Sequence, residues 1–427
     1  MNYVLEMGVA KVDITPETPI PLAGFGFRSG PYEGVTRPLY AKVSLFRQPA
    51  AAGGAPVQLL VVQADLIALS PDVVPGFASA IAERYGLAGT SVLYNASHTH
   101  GGPFMRGGIA AGPIDTGYTR LLEARLLQAT EEAFANAEPV GAAKALGASG
   151  IGIHRRKVVN GKMTMAPNRE GPIDREVTVV TFSRTSDGTP KGMFVHFTCH
   201  PTTTGDNLIN SDFPGVAMES IEEAVGGGVV ATFLQGCCGD IRPNVTNESG
   251  GFYRGDDRDV RRLGTMLGDE VAAIWSKEAR TLEPCALEVR DTMVRLPFDD
   301  ALAEPEESLP ERYAKLRREW LELSPDNRLY KPMRVSYMKL AEGLELVGFE
   351  GEVVVEYGLH LKAQFPDAVL PLAYTNGVIA YIPTAAQLIE GGYEPRESIR
   401  LFGLPAPFSG AIEALIREAA VSLVRGE

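Results

Sequence analysis

Apolar residues along this chain fall into two kinds of stretch. One kind is short and nearly unbroken: VQLLVVQAD, SVLYNAS, EVTVVTFSR, GMFVHFT and GVVATFLQG are rich in β-branched residues with few polar interruptions, which predicts strands buried on both faces. The other kind spaces its apolar residues three and four apart, in DVVPGFASAIAERYG, TRLLEARLLQATEEAFANA, GVAMESIEEAVG and DVRRLGTMLGDEVAAIWSKEA, and predicts amphipathic helices. Because the two kinds alternate, the expected fold is α/β, a layered mixed sheet core with flanking helices. After Glu283 the pattern changes, with ALEVRDTMVRLP predicting an antiparallel strand and PEESLPERYAKLRREWLEL a charged helix facing solvent. An α/β portion is therefore expected over 1–284 and a smaller α+β lobe over 285–427. AAGGAP, at 51–56, reads as a hairpin or strand connection.

Composition adds exclusions. The chain has 427 residues, 45% of them hydrophobic, enough for a large core. A formal net charge of −13 without any basic stripe repels a phosphate backbone, so no nucleic-acid partner is expected. The opening MNYVLEMGVAKVDITP has neither a basic leader nor an apolar h-region, and no later stretch approaches the ~20 apolar residues of a membrane span. A cytoplasmic protein without integral membrane association is expected. Four cysteines, two of them adjacent at Cys237 and Cys238, make no disulfide framework and suit a reducing compartment.

The histidines add chemistry. There are six, and SVLYNASHTHGGP places His98 and His100 at the end of one apolar run, where residues two apart in an extended chain share a face. HFTCHPTTTG places His196 and His200 at the end of another. A single His-x-His is compatible with rings that only bond loop backbone. Two such clusters at strand ends point to a metal, and imidazole is the commonest zinc ligand. His154 and His360 have no such setting. A catalytic zinc takes three protein ligands, and among 53 acidic residues spacing alone does not choose the carboxylate.

Together these stretches resemble the neutral/alkaline non-lysosomal ceramidase family, zinc amidohydrolases of ceramide. VAKVDITP is similar to that family's opening segment, NASHTHGGP to its metal-binding signature, CHPTT to the segment of its second zinc histidine and QGCCGDIRPN to its catalytic loop. EGEVVVEYG resembles the segment with a zinc glutamate, and YIPTAAQLIEGGYE the segment with a zinc tyrosine and, twelve residues later, a second tyrosine. The resemblance runs from about residue 8 to about 395 and implies zinc ligands at His98, His200, Glu352 and Tyr381, the last two from the C-terminal lobe. It implies that His100, Arg155 and Tyr393 serve catalysis beside them, with Arg156 one residue away from Arg155's role. Without the resemblance, Glu352 reads as an exposed carboxylate at a helix start, Tyr381 as a strand tyrosine with its hydroxyl at the rim, and Asp240 as a turn or cap residue.

One position departs from the family: Arg242 stands where its catalytic serine would be. A guanidinium excludes covalent catalysis there but suits a polar group of a substrate; it could equally pair with Asp240 and only shape its loop. The family's C-terminal immunoglobulin-like domain is expected to be lacking. The expected function is that of a shorter homologue, a zinc-dependent hydrolase cleaving an amide or ester of a polar small molecule by activated water. The alternatives are a non-catalytic zinc- or ligand-binding protein and a true ceramide amidohydrolase.

Overall fold

In the computed structural model, which describes residues 3–49, 55–87, 89–105, 114–277 and 279–427, alternate side chains of the strands enter two different cores. In β1 (Glu6–Asp13), Met7 and Val9 enter one, and Ala10 and Val12 the other. The same division runs through β2 (Tyr40–Gln48), with Phe46 against Leu45, and β3 (Val57–Ala64), with Leu59 and Val61 against Leu60 and Val62. Apart from their ends, these strands are largely buried on both faces, which is why the apolar runs lack a polar alternation. With β4 (Val92–Ala96), β5 (Glu138–Ala148), β6 (Glu176–Arg184), β7 (Pro190–Phe197), β8 (Val230–Gln235) and β9 (Arg280–Leu282), they form a nine-stranded sheet. Its order is β8-β7-β6-β5-β1-β2-β3-β4, with β9 on β5. The sheet is mixed: β3–β4 and β7–β8 are parallel, and the remaining pairs antiparallel.

Its two halves are joined through β1 and β5 by Glu6↔Pro139 and Met7↔Glu138. So short a seam lets the halves fold face to face. Phe46 of one half lies 5.2 Å from Phe182 and 5.7 Å from Phe194 of the other, at the centre of the inner core. Helices α1 (Pro75–Tyr85) and α2 (Thr116–Ala135) cover the outside of the first half, and α3 (Asp212–Val225) and α4 (Asp257–Trp275) that of the second. The result is four layers, helix, sheet, sheet, helix. The apolar pattern anticipates each helix, and local chemistry sets the ends: α1 begins with a proline at its first position and stops at left-handed Gly86, and Asp115 caps α2.

A second sheet begins after 285. Strands β10 (Glu288–Pro297), β11 (Tyr330–Ala341), β12 (Leu344–Phe349) and β13 (Val369–Leu372) make four strands in chain order, and Met338, Leu340, Leu346 and Leu370 reach the same inner core as Phe46. The charged stretch forms α5 (Glu311–Leu323), which buries Ala314 and Arg317. Two further helices, α6 (Val355–Gln364) and α7 (Ile412–Arg425), pack on each other. His360 lies half-buried on α6. Most of AAGGAP lies outside the described residues, but the flanking β2 and β3 pair antiparallel from Ala41↔Ala64 to Gln48↔Val57. All four cysteines are free and buried. No helix among the described residues is long and apolar enough to cross a membrane.

Candidate metal centre

The loops after β4 and β7 meet although their strands lie in opposite halves of the sheet. Gln235, the last residue of β8, ties them together. Its backbone N–H donates to Asn95 Oδ1 at 3.1 Å, and its Nε2 donates to the carbonyls of Ser97 at 2.8 Å and Cys199 at 3.0 Å. A polar residue inside each of two apolar runs thus places His98 and His200 side by side, with ring centroids 5.0 Å apart.

His98 and His100 do not share a pleat, as an extended chain would give. His98 takes the left-handed backbone conformation, with φ of 64°, held by its N–H donating to Leu66 O at 2.9 Å. The turn still brings the rings together, with His100 Nε2 3.4 Å from His98 Nε2. The glycines around them admit close neighbours: a Cβ on Gly101 would stand 2.2 Å from Asn210 O of the backbone, and one on Gly24, at φ +93°, 2.3 Å from Nδ1 of the His100 ring.

His98 Nδ1 lies 2.6 Å from Ile67 O, and His200 Nδ1 2.5 Å from Cys238 O and 3.0 Å from Ile241 O. Carbonyls only accept, so each Nδ1 carries the hydrogen and each Nε2 lone pair is free. Glu352 Oε2 stands 3.4 Å from His98 Nε2 and 3.2 Å from His200 Nε2. Glu352 is not an exposed helix-start residue: it is 7% exposed, in a two-residue strand, Glu352–Val353, paired in parallel with Tyr381–Ile382. Tyr381 is its partner in that pairing and is buried too, with its hydroxyl in hydrogen-bonding reach of both Glu352 and Arg155.

Burial pushes His200 down to about 4. It pushes His100 well below the usual imidazole range, helped by His98 and His200. These rings are neutral at physiological pH. The ligand atoms of His98, His100 and His200 lie within 4.8 Å of one another. Imidazole nitrogens whose lone pairs face one another beside a buried carboxylate form a donor set that fits zinc.

Arg155 and Arg156 divide the two oxygens of Glu394, at 2.8 and 2.6 Å. Arg156 then turns away to Glu390 and Gly391. Arg155 turns inward, its guanidinium carbon 5.5 Å from the centre of the Tyr381 ring and 5.6 Å from that of Tyr393. The two tyrosine rings meet edge-on at 5.4 Å, and burial pushes the Tyr393 hydroxyl up to about 12. Arg242 does not pair with Asp240. That carboxylate is occupied by His154 Nε2 at 3.2 Å, Gln387 Nε2 at 2.9 Å and the N–H of Val355, at the start of α6, at 2.9 Å, so it is a helix cap supplied from far along the chain.

His196 stays apart from the cluster: it is still within β7, and its Nε2 lies 2.9 Å from Pro371 O. In its place comes Tyr374, which no sequence pattern singles out. Its ring stacks on His98 at 3.9 Å, and its hydroxyl stands 3.2 Å from His200 Nε2 and accepts from Cys238 Sγ at 3.3 Å.

Two solved structures share this fold across the whole chain. A neutral ceramidase from Pseudomonas aeruginosa superposes with a TM-score of 0.77 at 19% identity, covering 100% of this chain and 75% of that one. A ceramidase complexed with C2 gives 0.77 at 18% identity, covering 100% and 76%. The protein has the neutral ceramidase fold. No protein-family model matches its sequence, nor does any curated protein.

Proposed function

We propose that the protein is a zinc-dependent hydrolase that cleaves an amide or ester bond of a polar small molecule. The observation that carries this is the convergence of His98 Nε2, His200 Nε2 and Glu352 Oε2, each imidazole fixed from behind by a backbone carbonyl. The fold shared with enzymes named for ceramide supports it. In this reading His98, His200, Glu352 and Tyr381 hold the ion. Zinc bound there supplies Lewis acidity toward a carbonyl oxygen and a water molecule.

The chain's own groups do the rest. His100 starts neutral and presents its Nε2 to the donor cluster, so in this reading it accepts a proton from the attacking water and passes it to the departing nitrogen or oxygen. Arg155 and Tyr393 supply donors to the oxyanion that develops on the carbonyl. Arg242 contacts the substrate and takes no covalent part. Metal analysis paired with a screen of amides and esters tests this reading. About one zinc per chain is expected, lost in His98→Ala and His200→Ala, with turnover abolished by chelation and restored by zinc. Wild-type metal content in both variants would overturn the ligand assignment. A zinc-loaded protein that cleaves nothing in the screen would favour a binding role instead.

A further inference from the structure

Beyond His100 the wall of the site becomes aromatic and cationic. Phe25 packs against the His100 ring at 4.7 Å, and Phe27 stacks on Phe25 at 5.2 Å. The guanidinium of Arg254 lies over both rings, 4.1 and 4.7 Å from their centres. Arg28 lies over Phe25 at 4.8 Å, and Arg242 over Phe252 at 4.2 Å. Arg242 belongs to the short strand Ile241–Pro243, whose first residue bonds His200 through its carbonyl, so this cationic wall continues directly from the donor cluster.

The acids that would normally answer these charges are engaged elsewhere. Glu394 is taken by Arg155 and Arg156, Asp240 by His154 and Gln387, and Asp206 lies with Arg28. Among the described residues no carboxylate forms an ion pair with Arg242, and its charged neighbours Arg155 and Arg254 share its sign. Among the described residues, Arg242 Nε is buried without a hydrogen-bond partner, and so is Nη2 of Arg155, a residue 5% exposed. Unmatched buried donors on like-charged groups are costly, and this chain has 53 acidic residues against 40 basic ones, so scarcity of acids is not the cause. Stacking on aromatic faces steadies a guanidinium through cation–π attraction and leaves its in-plane N–H fork free, the arrangement suited to a planar or tetrahedral anion.

We propose that the substrate carries an anionic group, a carboxylate or a phosphate, gripped by Arg242 and Arg254 beside the bond to be cleaved. This deepens the hydrolase reading and rests on it for the position of that bond. It also sets the substrate apart from ceramide, which is uncharged.

Calorimetric titration of the zinc-loaded protein tests it with three probes: N-acetylglycine, its neutral counterpart N-acetylglycinamide, and inorganic phosphate. The wild type is expected to bind one or both anions at least about tenfold more tightly than the neutral amide, and the tighter anion names the group. That preference should weaken with added salt and disappear in Arg242→Gln and Arg254→Gln, while Arg242→Lys, which keeps the charge without the fork, keeps part of it. Equal binding of N-acetylglycine and its amide, no binding of either anion, or an anion preference undiminished in both glutamine variants would each overturn the proposal; the last result would mean that the metal alone holds the anion. Failure of the hydrolase reading looks different: the preference persists, and no amide or ester is cleaved.

Discussion

At the scale of single residues, the centre depends on rings held neutral by burial, with consequences for metal content and for pH. His100 presents Nε2 to the cluster but has no carbonyl behind its Nδ1, unlike His98 and His200. His100→Ala is therefore expected to keep the zinc and lose most turnover, on the order of the 10²- to 10⁴-fold ascribed to a general acid–base group; metal analysis beside kcat separates the two effects. The pH argument concerns the metal-free protein. His200 and His196 are each lowered from 6.5 to about 4 when folded, so between those values the unfolded chain binds protons that the folded chain refuses. Stability then rises with pH across that window and is lost as pH falls through it, by an amount on the order of a few kcal/mol per ring. The melting temperature of chelated protein should drop from pH 7 to pH 4.5, and less steeply in His196→Gln. A flat profile in the wild type would contradict the burial argument.

At the scale of elements, Gln235 is the joint. Replacing it with alanine leaves the carbonyls of Ser97 and Cys199 without their donor in a fully buried setting, a loss of about 1–3 kcal/mol. Gln235→Ala should lower the melting temperature and bind zinc more weakly in chelator competition, although it touches no ligand atom. The strands and helices themselves were legible because burial on both faces, or on one stripe, is written in the order of apolar residues. A new sheet starts at Glu288, shortly after the change of pattern at Glu283. The centre was legible only in part. His98 and His200 stood out by type and position, but the pleat rule failed for His98 and His100 because a left-handed residue has no signature in side-chain periodicity. His196 was wrongly grouped with His200, since proximity in sequence does not tell a ring still inside a strand from one beyond its end. Glu352 and Tyr374 depend on contacts between distant segments that local pattern does not encode, and Glu352 was reached through resemblance alone.

At the scale of the whole molecule, the candidate centre and the inner core both draw on the two ends of the chain. A fragment ending at residue 285 lacks Glu352 and Tyr381, and it also removes Met338, Leu340, Leu346 and Leu370 from the core around Phe46. Such a fragment is expected to bind zinc at least about 100-fold more weakly and to unfold at lower denaturant; full zinc affinity in a folded fragment would show that the N-terminal portion suffices. The spacing of the proposed donors along the chain, from His98 to Tyr381, also has a consequence for biosynthesis. Translation delivers His98 early, and the chain must wait for almost its whole length before the last donor leaves the ribosome. Any capture of metal before Glu352 emerges would be by histidines alone, through an incomplete and exchangeable set. Zinc supply should therefore matter after translation: protein made under zinc starvation should reach full occupancy when the ion is added to the finished chain, without a new round of synthesis.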